Sequence, residues 1–104
     1  MLKKVALALG VLLVLSVSSL FAADGAALFK AKCAGCHGPD GAAQTAVGKN
    51  LKIRGFGEAD VQKMSDADLA KMIEEGKGKM PAFKGKLTGE DITALVKQIR
   101  SFKK

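Results

Sequence analysis

Cys33-Ala34-Gly35-Cys36-His37 decides how this chain is read. The pattern is C-x-x-C-H, the spacing that attaches a haem covalently. Two thiols separated by two residues reach one edge of a porphyrin from a single helical turn. Each can add across a vinyl group to form a thioether. The imidazole that follows is then aimed at the iron. A zinc site needs further Cys or His donors, and this chain has no second Cys pair and no second His. A thioredoxin-like dithiol is accompanied by a βαβ pattern, which the flanking residues lack. The five residues therefore predict one haem c, tethered by Cys33 and Cys36, with His37 as one ligand of its iron.

On the amino side, Met1-Leu2-Lys3-Lys4 is a short positive region and Val5 to Leu15 is a run of eleven apolar or small residues. Ser16 to Ala23 is small and weakly polar, ending in Phe21-Ala22-Ala23. This layout predicts a signal peptide over residues 1–22, a haem domain over 23–104, and export to the periplasm. Cleavage is expected after Ala22 or Ala23. The apolar run is shorter than the roughly 20 residues of a membrane span, and no Cys lies near the cut. No stable membrane anchor is therefore expected after cleavage.

The remaining residues are few for a self-sufficient core, because small domains bury a small fraction of their surface. There is no Trp and no Tyr, and one of the five Phe lies in the leader. Both Cys are claimed by the motif, so no disulfide is left. The porphyrin itself must supply much of the core, which predicts a largely unfolded haem-free chain. Without Lys3 and Lys4 the chain keeps 15 basic and 10 acidic residues, a formal +5. The lysines are dispersed and not interleaved with aromatics, which argues against nucleic acid. A moderately basic surface suits a protein partner with an acidic docking surface.

Helix signals are clear at three places. Asp24 is an N-cap for a helix from Gly25 to about Cys33, with Gly25, Phe29 and Cys33 on one face. Ser65, with Asp68 three residues on, opens a helix whose stripe is Leu69, Met72 and Ile73 and whose C-cap is Gly76. Thr88, with Asp91, opens the last helix, with Ile92, Leu95, Val96, Ile99 and Phe102 on its buried face. Between the first and second, Gly38-Pro39-Asp40-Gly41 reads as a turn. Ala42 to Val47 reads as a short helix or loose turn broken by Gly48-Lys49-Asn50. The stretch through Gly55-Phe56-Gly57 reads as loop anchored by Phe56.

A second iron ligand must be something other than His. Met80 lies in the basic loop Gly76–Gly85, followed by Pro81, which restricts the backbone beside it. A thioether is a soft neutral ligand suited to an electron carrier. Met80 is the expected ligand, Met64 competes with it, and Met72 belongs to the apolar stripe. His plus Met leaves no open coordination position. An enzyme such as a small peroxidase would need one, together with a distal acid–base residue, and no such residue stands out. Gas sensing would require Met80 to leave the iron. The second ring nitrogen of His37 is expected to donate to a backbone carbonyl, with Pro39 close in sequence.

With these motifs in order, the chain resembles the small class I c-type cytochromes, in particular the short bacterial and c6-like forms. The resemblance covers Asp24 to about Phe102. It rests on Cys33-Ala34-Gly35-Cys36-His37-Gly38, on Met80-Pro81-Ala82-Phe83 and on the amphipathic helix after Lys86-Leu87-Thr88. It implies an all-α fold of three to four helices around one covalently bound haem. It also implies a monomer that carries single electrons between redox protein donors and acceptors, and no enzymatic activity. Gly25 and Phe29 match the crossing of first and last helices, with Leu95, Val96 and Ile99 opposite. Lys77, Lys79, Lys84 and Lys86 are the implied docking rim. One departure is Gly48-Lys49-Asn50-Leu51, where many short members carry Pro before the Leu.

Mass spectrometry of the exported protein should find a chain starting at Ala23 or Asp24 with one porphyrin bound. The Cys33→Ala/Cys36→Ala variant should lose helical circular dichroism. A cleaved, porphyrin-free product that folds would overturn the motif reading.

Overall fold

Asp24, itself extended, caps the first helix and accepts the Ala27 N–H through its carboxylate at 3.2 Å. The computed structural model describes residues 24–104; the expected leader lies outside the described residues. Helix α1 (Gly25–Lys32) runs almost directly into α2 (Ala34–His37), the turn that carries the C-x-x-C-H motif. Three further elements follow: α3 (Ala46–Asn50), α4 (Ala59–Gln62) and α5 (Asp66–Glu75). The last helix is α6 (Gly89–Ser101). Among the described residues there is no strand, only two isolated bridges. The architecture is all-α, with α1, α5 and α6 as its main helices and the class I cytochrome c arrangement expected.

The caps behave as the local chemistry requires. Ser65 Oγ accepts the Asp68 N–H at 3.0 Å. Thr88 and Asp91 form a reciprocal capping box, which satisfies two otherwise orphaned donors. Glu90 and Asp91 in the first turn and Arg100 in the last complement the dipole of α6. The buried faces follow most of the apolar stripes: Phe29 from α1, Leu69 and Ile73 from α5, and Ile92, Leu95, Val96 and Ile99 from α6 form one cluster, with Phe102 half-buried against it and Met72 outside it. Leu95 is 1% exposed, and burying such a side chain contributes about 1.5–3 kcal/mol.

Helix α1 crosses α6 at Gly25. A Cβ built there would lie 2.4 Å from the carbonyl oxygen of Ala94, so only glycine allows the two backbones this approach. Ala94 itself was not singled out by the sequence pattern, because its small side chain leaves no mark on an apolar stripe.

One expectation is corrected. Gly48-Lys49-Asn50 does not break a helix; it lies within α3. Thr45 starts that helix, its Oγ1 accepting the Gly48 N–H at 2.9 Å, and Gly48 is buried. The stretch between Gly57 and Ser65 contains α4, whose N-cap Glu58 makes no side-chain capping bond. A single turn with so weak a start leaves little periodicity to read.

Replacing Gly25 by Val should force the crossing apart and cost about 1–3 kcal/mol, the usual range for overpacking. Urea denaturation of the haem-loaded protein would show it as a lowered midpoint with an unchanged slope. An unchanged midpoint would mean that the helices do not meet there.

Candidate functional site

The attachment segment is held by its own backbone and by the loop that follows. The Cys33 N–H donates to Phe29 O at 2.9 Å and the His37 N–H to Cys33 O at 3.0 Å, which makes the motif a continuation of the α1 spiral. Thr45 Oγ1 donates to Cys36 O at 2.8 Å, pinning the start of α3 onto the motif. His37 O accepts the Ala43 N–H at 2.8 Å. Cys36 is exposed and Cys33 half-buried, and no disulfide joins them.

Cys33, Cys36 and His37 line one cavity of about 700 Å³, walled mostly by apolar side chains. Val61, Leu69, Ile73 and Ile99 contribute to that wall. Burial pushes the Cys33 thiol up and His37 below the ordinary imidazole range. A depressed pKa keeps the imidazole neutral, the state in which a ring nitrogen can donate a lone pair to a metal.

The His37 ring meets two conditions that the sequence did not announce. It stacks on Phe56, with ring centroids 4.5 Å apart and planes at 22°. Its Nδ1 is buried with no hydrogen-bond partner among the described residues. The expected carbonyl, Pro39 or another, is therefore not engaged. Nearby carbonyls are committed elsewhere: Cys36 O takes the Thr45 hydroxyl, His37 O takes the Ala43 N–H, and Gly38 O takes the Gly41 N–H.

Met80 lines the same cavity, and so do Met64 and Met72. The geometry gathers all three thioethers and does not by itself select one. Met80 differs in its backbone. The Met80 N–H donates to Lys77 O at 2.9 Å and the Lys77 N–H to Met80 O at 3.2 Å, a tight loop closed over Gly76. Gly76 has φ +71°, and a Cβ there would come within 2.5 Å of Met80 O. Of the expected rim, Lys77 and Lys79 line the cavity, joined by Lys32, Lys52 and Arg54. Lys84 and Lys86 are exposed and do not line it.

An apolar cavity bordered by paired thiols, a neutral imidazole and thioethers fits a haem: a flat apolar plate with an iron that accepts soft and borderline donors. It does not fit a zinc site, since no cluster of three or more His, Cys, Asp or Glu side chains gathers among the described residues.

Known proteins agree. Residues 21–99 match the family described as cytochrome c oxidase, cbb3-type, subunit III. Cytochrome c6 of Microcystis aeruginosa is 34% identical over 79 residues, covering 73% of this chain and 90% of that protein. Cytochrome c6 of Anabaena variabilis is 38% identical over 74 residues, covering 66% and 77%. The chain belongs to the c-type cytochromes. In structure this cytochrome is similar to the KustC0563 c-type cytochrome, with a TM-score of 0.73 and 43% identity over 78% of this chain and 99% of that one. Its relatedness to cytochrome c6 makes it a small monohaem electron-transport protein rather than an enzyme, with the haem carried covalently on the Cys pair.

Gly76→Ala places a Cβ against the Met80 carbonyl at a left-handed backbone position. It should destabilise the folded cytochrome by about 1–3 kcal/mol and open the chain at Lys77 and Lys79 to trypsin. Unchanged cleavage would show that Gly76 does not hold the loop.

Proposed function

We propose that this cytochrome is an exported, monomeric electron shuttle that works in the periplasm between redox protein partners. Its signal peptide is residues 1–22. Haem c is bound through thioethers to Cys33 and Cys36, and its iron is held by His37 and Met80. The observation that carries this reading is that all four side chains line a single apolar cavity.

When bound, haem supplies a one-electron ferric–ferrous couple, and a neutral thioether opposite an imidazole raises its potential relative to two imidazoles. The protein's own contribution is positional and dielectric. The apolar wall excludes water and so disfavours the extra charge of the ferric state. The helical turn of α2 presents the two sulfurs and the imidazole together. The closed Lys77–Met80 loop presents one thioether from a restrained backbone, whereas Met64 and Met72 stand on or beside helices. Among the described residues, Lys32, Lys52, Lys77 and Lys79 give the cavity a basic border, while Arg54 is paired with Asp60 on the same border at 2.7 Å. An acidic partner surface attracted there would dock close to where an electron leaves. This attraction raises the association rate and weakens with salt. Among the described residues no helix is long and apolar enough to cross a membrane.

Optical and redox titration of the wild type beside Met80→Ala and Met64→Ala tests the ligand assignment. Met80→Ala should lose the thioether–iron absorption and fall in reduction potential, while Met64→Ala keeps both. Loss of that absorption only in Met64→Ala would overturn the assignment.

A further inference from the structure

We propose that Phe56 positions the imidazole of His37, and that Gln62 and Arg100 hold Phe56 in place to do so. This rests on the reading of His37 as an iron ligand. A metal-bound imidazole has one rotational freedom left, about the bond to the metal. It is ordinarily fixed by a hydrogen bond from its other nitrogen. In this cytochrome Nδ1 has no such partner among the described residues, and the flat stack on Phe56 takes over the role.

The Phe56 ring is itself immobilised. It sits edge-on to Phe29 at 6.0 Å and stacks with Phe102 at 6.3 Å. Its backbone is clamped at both ends. The Phe56 N–H donates to Gly41 O at 2.8 Å, and Phe56 O accepts from Gln62 Nε2 at 2.7 Å. The same Nε2 donates to Ile99 O at 3.0 Å, tying the loop to α6. Arg100 completes the clamp. Its Nη1 donates to Gln62 O at 2.9 Å, its Nη2 donates to Met64 O, and its Nε donates to Asp66 at 2.9 Å. A guanidinium spends its fork on the carbonyls that end α4, a use that lysine could not reproduce. The contacts run unbroken from Asp66 through Arg100, Gln62 and Phe56 to the His37 ring.

The expected consequence has a sign. Removing the aromatic face frees the imidazole to rotate and lets water reach Nδ1–H. A hydrogen bond accepted from that N–H makes the imidazole a stronger donor, which favours ferric iron. Phe56→Leu in the haem-loaded cytochrome should therefore raise the ferric preference about tenfold. For a one-electron couple that is about 59 mV lower in potential. The ferric haem-methyl proton shifts, which follow the imidazole plane, should also be redistributed. Phe56→Tyr keeps the ring and should leave both readings near wild type. Gln62→Met cuts the bond to Phe56 O without touching the ring, and should move both readings in the Leu direction by a smaller amount. If Phe56→Leu does not fold, Gln62→Met decides alone. Unchanged potential and methyl pattern in the folded variants would overturn the positioning role while leaving His37 as a ligand. A wild-type spectrum without an imidazole–iron bond would instead overturn the ligand reading beneath it.

Discussion

The approach of two backbones at Gly25 and Ala94 governs what the rest of this small domain can do. Helix α1 carries no large buried side chain except Phe29, so its place against α6 is set by closeness rather than by volume. Because α1 continues into α2, the crossing also fixes where Cys33, Cys36 and His37 stand relative to the apolar face of α6. Ile99 lines the cavity from that face. Phe29, on the turn before the motif, reaches Phe102 with ring centroids 5.1 Å apart. A displacement at the crossing would be passed to the cavity over the two turns of α1.

The cavity is bordered by segments of very different rigidity. Helices α5 and α6 supply a floor of interdigitated aliphatic side chains. The motif supplies a short helical turn pinned by Thr45. The loop of Met80 is held by backbone bonds across Gly76. Only the wall around Phe56 relies on side chains from afar, Gln62 and Arg100. That wall also carries the bulk of the ring-to-ring contact, with His37, Phe56, Phe102 and Phe29 in succession.

What could be read in advance follows from the range of the physics involved. Caps act over three residues, and Asp24, Ser65 and Thr88 were all legible. Stripes act over a helix, and Leu69–Ile73 and Ile92–Ile99 were legible too. The attachment motif is local by chemical necessity. Contacts across the chain were not legible. Gly48 looked like a breaker because its pattern does not record that Thr45 caps it. Phe56 read as an anchor without a target, since nothing in Gly55-Phe56-Gly57 names His37. Nothing in the sequence around Arg100 names Gln62 or Met64, whose carbonyls its guanidinium serves. Met80 was distinguished from Met64 and Met72 by its loop, not by reach, because all three sulfur-bearing chains face the same space.

The two helices that meet at Gly25 lie at opposite ends of the described sequence, and the arginine that finishes the wall belongs to the final turn of α6. Closing so long a loop is entropically slow, and the compartment for the macrocycle does not exist until the carboxyl end has arrived. A chain whose carboxyl end has not yet docked therefore leaves both thiols open to solvent.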